Sequence, residues 1–339
     1  MSTSRSNRGL RLLSLDGGGI RGLSELAMLH EIMARIQHRE NLARLPKPCE
    51  YFDLIGGTST GGLAALLLGR LQLSTEQAIT EYGNLASLVF KEKKSGWLGN
   101  DGQYKATKLE TVVKELVQKY SATNNPDESM LDARAEEPGA CKTFVCAAPA
   151  DNLACPTLFR TYRIPDASFD CKIWEAARAT CAAPTLFKRI RIGAEGTEQE
   201  YIDAGLGCYN PVFEVVAEAD VAFGKDQKVD CLISLGSGQK GVIALKKPNW
   251  FQKMFPTDAI PVLERLSMDS EIAAEQMQAW YHRHWPGVYY RLNVEQGMQD
   301  IGVGEWKRLG EVLTHTTKYI QGGRISVEVD TIVDKIIGS

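Results

Sequence analysis

At 339 residues, with 44% apolar and 24% charged side chains, the chain is long enough for one large core and has the composition of an ordinary globular protein. Its formal charge of -3 sets aside a general nucleic-acid binder, which carries a strongly basic face. The longest apolar runs, Leu63 to Leu68 and Leu232 to Leu235, fall far short of the roughly 20 residues that a membrane-spanning helix needs.

The opening "MSTSRSNRGL" is polar and basic with no apolar stretch behind it. It reads as a loose tail over residues 1–8 and not as a signal peptide, so a cytoplasmic location is expected. Eight cysteines are scattered without a C-x-x-C pair or histidines at metal spacing, which reads as reduced thiols and no metal site. Neither repeats nor a long linker divide residues 9–339. One domain is expected, with a motif-bearing core over about 10–213 and a helical part over about 214–339.

In chain order, "LRLLSLD" (Leu10 to Asp16) is a short apolar strand ending in glycines. Leu23, Leu26, Leu29, Met33 and Ile36 then recur at helical spacing. "YFDLIGG" and "TGGLAALLLGRL" repeat the strand, turn, helix order, and the second helix is apolar on nearly every side. "KTFVCAA", "IDAG" and "DCLISLG" read as further strands, and Ile173 to Ala182, Glu271 to His282 and Val303 to Tyr319 as helices. Strands alternating with helices predict an α/β fold with a mostly parallel sheet covered on both faces.

Three motifs carry the chemistry. "DGGGIRG", Asp16 to Gly22, places glycines where a strand passes into a helix, so backbone N–H groups and the helix dipole can receive an anion. Gly17, Gly19 and Gly22 also fit G-x-G-x-x-G, so an oxyanion hole, a dinucleotide site and a purely structural turn all stay open. The dinucleotide reading lacks a strand ending in an acidic residue about 20 positions on. The second motif is G-x-S-x-G, Gly57 to Gly61, again between strand and helix. A nucleophile elbow needs small neighbours around its strained serine, and Ser59 has glycines on both sides; the bland alternative is that Ser59 only caps the helix. The third motif, "YIDAGLGCYNP", sets Asp203 at the end of a strand-like pair before a glycine turn. Asp203 is one candidate base for Ser59. The other is a histidine among His282, His284 and His315, with His30 and His38 on the first helix.

"DGGGIRG", "GTSTGG" and "DAG" in this order resemble the patatin-like phospholipase family, from about Leu10 to Pro211. "ARATCAAPTLF", Ala177 to Phe187, is similar to a segment of its eukaryotic and fungal members, and "YYRLNV" adds a weaker likeness beyond Pro211. The resemblance implies a patatin-type three-layer α/β/α fold and a phospholipase A type hydrolase working on acyl esters of phospholipids or lysophospholipids without metal or cofactor. It implies Ser59 as nucleophile, Asp203 as general base in place of a triad, and the backbone of Gly17, Gly18 and Gly19 as oxyanion hole. The family's third motif is usually D-G-G or D-G-A, whereas residue 204 here is alanine, which resists positive φ.

A carboxylate base is weak, so apolar surroundings are expected to raise the Asp203 pKa. Arg21 is a candidate for a substrate phosphate, with a loop-fixing salt bridge as the alternative. "LKKPNWFQKMFP", Leu245 to Pro256, and "FKEKKSGWLGN", Phe90 to Asn100, interleave lysines with aromatics as interfacial anchors do; the second suits a lid equally well. Transient contact with a membrane surface is expected, and a regulatory domain or partner protein fits such a family.

Overall fold

In the computed structural model, the residues described are 8–94, 102–153, 155–165, 170–184, 186–239 and 259–338. The strands are β1 (Leu10–Leu15), β2 (Leu54–Thr58), β3 (Lys142–Pro149), β4 (Thr157–Arg160), β5 (Ile190–Ile192), β6 (Gln199–Asp203), β7 (Val229–Leu235) and β8 (Tyr289–Leu292). The helices are α1 (Leu23–Arg39), α2 (Pro48–Tyr51), α3 (Ser59–Ala65), α4 (Thr75–Phe90), α5 (Ala106–Tyr120), α6 (Ile173–Thr180), α7 (Val212–Phe223), α8 (Ala259–His284), α9 (Leu309–Ile320) and α10 (Gly323–Ile337).

All eight strands form one sheet in the order β5-β6-β3-β2-β1-β7-β8, with β4 also paired to β3. The pairs β3-β2, β2-β1, β1-β7 and β7-β8 are parallel. β4 and β6 run antiparallel to β3, and β5 antiparallel to β6. Successive side chains point to opposite faces of a strand, and the core divides accordingly. Leu13, Leu15, Ile55, Val145, Ile233 and Leu235 join α1, α3 to α6, α9 and α10 in one cluster. Leu12, Leu54, Phe144 and Leu232 join Val212 and Val215 of α7 and Met277 and Tyr281 of α8 in the other. The result is the expected three-layer α/β/α arrangement. Strand order reverses between β1 and β7, and the crevice beyond the carboxyl ends of strands at such a point is where open α/β sheets bind ligands.

Several boundaries differ from the sequence expectation, each for a local reason. The part beyond residue 213 holds a second strand besides the expected "DCLISLG": β7 lies directly against β1 and carries β8 on its other side. The helix expected from Val303 begins at Leu309. The Val303 carbonyl instead accepts the Ile20 N–H at 2.9 Å and so covers the glycine turn. The helix expected to end at Ala182 stops at Thr180. The Ala182 carbonyl leaves the helix to accept the Asp203 N–H at 3.1 Å. Helix α4 was not foreseen, although its capping box is written in the chain: Ser74 Oγ accepts the Gln77 N–H while the Gln77 side chain accepts the Ser74 N–H.

Arg8, assigned to the loose tail, is fastened by a fork of bonds to Asp53 at 2.7 and 2.9 Å. Residues 1–7, the candidate anchor 245–256 and most of the candidate 90–100 lie outside the described residues. No described helix is long and apolar enough to cross a membrane.

The glycines of the elbow are set by packing. A Cβ on Gly61 would stand 2.2 Å from the Asp16 carbonyl oxygen and 2.5 Å from that of Leu15, whereas one on Gly83 within α4 would meet nothing within 4 Å. Gly61→Ala is therefore expected to cost about 2 kcal/mol or more, and Gly83→Ala to stabilise by about 0.5–1 kcal/mol. Urea melts of the two variants check the pair; equal effects would contradict this account.

Candidate functional site

β2 delivers Ser59 to the carboxyl edge of the sheet. Ser59 has φ 56°, in the left-handed region, where a non-glycine residue is costly by about 1–3 kcal/mol. A Cβ on Gly57 would lie 2.3 Å from the Gly61 carbonyl oxygen. Both glycines of G-x-S-x-G are thus required by contact between backbones, and the capping-only reading does not explain that strain. The Ser59 N–H donates to Thr180 Oγ1 at 2.8 Å.

Asp203 is the last residue of β6 and pairs with Ala147 of β3, which brings it to the same edge. Its carboxylate accepts the Gly205 N–H at 2.8 Å, and the neighbouring Ser59 hydroxyl also favours its charged form. Burial outweighs both and pushes the Asp203 pKa up to about 6. The departure at Ala204 is harmless here. Ala204 to Leu206 form a short 3₁₀ turn capped by Asp203, and Ala204 is not among the residues with positive φ.

The glycine turn after β1 lies against the elbow: a Cβ on Gly17 would be 3.1 Å from Ser59 Cβ. Of its three amides, Gly17 N–H donates to the Tyr209 carbonyl at 3.0 Å and Gly18 N–H to Thr60 Oγ1 at 3.1 Å. The Gly19 N–H has no acceptor among the described residues. Gly19 has φ 62° and packs on Val303. Of the three amides expected to receive an oxyanion, only that of Gly19 is thus left without an acceptor among the described residues.

The turn is anchored from below. Asp16, 1% exposed, receives Arg291 in a two-pronged pair at 3.1 and 2.7 Å and the Ser270 hydroxyl at 2.8 Å. Glu271 also accepts from Arg291, at 2.9 Å. Ser237 donates to the Gly17 carbonyl at 2.7 Å. Arg21, expected to meet a substrate phosphate, is 1% exposed, and its Nε donates back to the Gly18 carbonyl at 3.4 Å. Its Nη1 is buried without a hydrogen-bond partner among the described residues. Nearby, burial pushes the Glu25 carboxyl well up, with the charge of Asp16 adding to it.

No histidine hydrogen-bonds Ser59 or Asp203. His30 Nδ1 meets Thr75 Oγ1 at 2.9 Å, and His284 Nδ1 meets the Trp280 carbonyl at 2.7 Å. His282 and His284 end α8 just before β8 begins; since β8 runs parallel to β1 and β7, they lie at the opposite edge of the sheet from Ser59. No dinucleotide fingerprint is formed either, because the strand that follows α1 ends in Thr58 and leads into Ser59, with no acidic residue at its end. Among the described residues no group of three His, Cys, Asp or Glu side chains is arranged to hold a metal ion.

Sequence reasoning missed Thr180, Tyr209, Arg291 and Ser270. Only position could have flagged them: Thr180 and Arg291 fall in the two flanking segments that resemble family members, and Tyr209 in the third motif.

A family model described as patatin-like phospholipase matches residues 13–216. The chain is 29% identical over 289 residues to phospholipase A I of Arabidopsis thaliana, covering 68% of this chain and 21% of that protein. It is 28% identical over 227 residues to probable inactive patatin-like protein 9 of the same plant, covering 64% and 56%. It is 26% identical over 248 residues to calcium-independent phospholipase A2-gamma of Mus musculus, covering 68% and 29%. The chain thus spans between about a fifth and just over half the length of these relatives.

A carboxyl that titrates near 6 when folded and near the ordinary aspartate value of about 3.9 when unfolded binds more protons in the folded state between those values. Its contribution to stability is complete below pH 4 and is lost as pH rises through 6. Asp203→Asn, which stays neutral, is expected to gain stability over the wild type by on the order of 2–3 kcal/mol between pH 4 and 7.5. Thermal or urea melts across that range check it, and a difference independent of pH would refute the burial argument.

Proposed function

The chain belongs to the patatin-like phospholipase family, and from that membership we propose that it is a lipid acyl hydrolase that cleaves fatty-acyl esters of phospholipids or lysophospholipids through a Ser59–Asp203 dyad. The observation that carries the reading is a buried carboxyl at the edge of the sheet beside Ser59, whose pKa burial pushes up to about 6 while the neighbouring Ser59 hydroxyl lowers it. A serine hydroxyl is a poor nucleophile near neutral pH, and a base with a pKa close to the working pH activates it best.

Asp203 takes the Ser59 proton as Oγ attacks the ester carbonyl. The developing oxyanion accepts from the Gly19 N–H and the Thr60 N–H, which the α3 dipole supports. When the tetrahedral intermediate collapses, the C–O bond to the lysolipid breaks, and Asp203 returns its proton to the departing alkoxide. Water then gives a proton to Asp203, adds to the acyl-enzyme and releases the fatty acid, which restores Ser59. No metal is needed for any of these proton transfers, in keeping with the calcium-independent name of the mouse relative. Contact with a lipid surface is part of the proposal, since the ester must leave a bilayer or micelle to reach the sheet edge.

The test is labelling by a fluorophosphonate probe alongside fatty-acid release from mixed phospholipid micelles. Ser59→Ala and Asp203→Asn are expected to lose about a thousandfold or more in both, while a variant lacking His282, His284 and His315 keeps its activity. The kcat/KM of the wild type should fall on the acid side with a midpoint near the Asp203 value of about 6. Folded wild type that neither labels nor turns over would sink the reading and place the chain with the relative described as probably inactive.

A further inference from the structure

The strained conformation of Ser59 has to be held by its surroundings, and the bonds that hold it converge on three consecutive residues. Thr180 Oγ1 accepts the Ser59 N–H at 2.8 Å and donates to the Cys146 carbonyl of β3 at 2.7 Å. Cys181 Sγ donates to the Ser59 carbonyl at 3.4 Å. The Ala182 carbonyl accepts the Asp203 N–H at 3.1 Å. Residues 180, 181 and 182 are all buried. Each side of the Ser59 backbone, and the backbone of Asp203, is therefore tied to one short segment at the end of α6.

We propose that Thr180, Cys181 and Ala182 form a bracket that sets the Ser59–Asp203 geometry, with Thr180 as its positioning residue. This rests on the dyad reading above and adds to it a group that touches no reacting atom.

The bracket is mounted rigidly. Ile173 at the start of α6 donates its N–H to the Glu128 carbonyl at 3.0 Å, and the Met130 N–H donates to the Cys171 carbonyl at 2.7 Å. Cys146 lies across the sheet from Thr58, the residue before the nucleophile, so the Thr180 hydroxyl links two neighbouring strands through the elbow. Gly62 makes room for it: a Cβ there would stand 2.8 Å from Thr180 Oγ1. Burial also pushes the Cys181 pKa well up, which keeps its thiol protonated as a donor.

The hydroxyl has two jobs at once, accepting from Ser59 and donating to Cys146. Valine matches threonine in shape and does neither; serine does both.

The experiment compares wild type, Thr180→Val and Thr180→Ser in probe labelling rate, kcat and KM, the pH profile, melting temperature and hydrogen exchange at the Ser59 amide. Thr180→Val is expected to lose about 10- to 100-fold in labelling rate and kcat, since small misplacements of reacting groups have effects of that size, with KM little changed. Thr180→Ser should stay within about threefold of wild type. Loosening the Ser59 bond removes an interaction that lowers the Asp203 pKa, so the acid limb of Thr180→Val should move to higher pH; loss of stability alone does not move it. A folded Thr180→Val with wild-type rates and acid limb, or a Thr180→Ser as slow as the valine variant, overturns the proposal. If the valine variant does not fold, Cys181→Ala, which removes the donor to the Ser59 carbonyl, takes its place with the same outcomes expected. If wild type is inactive, the dyad reading fails separately. The bracket then stands or falls on whether Ser59 amide exchange rises about tenfold or more in Thr180→Val.

Discussion

Close approach of two backbones at Gly61 governs the rest of the molecule. The first turn of α3 lies against the carbonyl oxygens of Leu15 and Asp16, nearer than any side chain allows. That contact sets the serine elbow after β2 edge to edge with the glycine turn after β1. It also fixes the conformation in which Ser59 has a positive φ. Gly57, which lies against Gly61 itself, and Gly62, which lies against Thr180, extend the same constraint along the elbow. The elbow serine and the glycine-turn amides then stand side by side as a consequence of packing, before any charge is considered.

Charge is handled in two different ways on the two sides of that contact. Asp16 is buried with a full set of partners, the guanidinium of Arg291 and the hydroxyl of Ser270, and serves as an anchor. Asp203 is equally buried, but among the described residues it is hydrogen-bonded by the Gly205 amide and paired with no cation. A carboxylate desolvated without a counter-charge has its pKa raised. Two aspartates at the ends of strands in one sheet therefore have different roles because one has an arginine and the other has none. The arginine comes from β8, so the part of the chain beyond the family-matched residues is structurally necessary for the glycine turn.

Glycine and strand-end positions were readable in the chain because they answer to local sterics. The strand, turn, helix order around "DGGGIRG" and "GTSTGG", the serine between its two glycines and the aspartate before its own turn all stand where the spacing put them. The three-layer architecture followed from alternating strands and helices, and each strand of the parallel core splits its side chains between the two faces as period two requires. Where expectation failed, a partner distant in sequence was responsible. Arg8 was read as tail because nothing local fastens it, and Asp53 does so from 45 positions away.

Sequence alone thus determined the fold class, the family resemblance and the residue types at the strand ends, since these depend on hydrophobic periodicity and on how little room a turn leaves. Tertiary structure decided which amides of the glycine turn remain unpaired, what holds Ser59 in its strained conformation, and why Asp203 titrates high. The first two depend on bonds from groups distant in the chain, Tyr209 and Thr180, and the third on burial of the Asp203 carboxyl. Only folding brings such distant groups within hydrogen-bonding distance and excludes the water that would otherwise satisfy them.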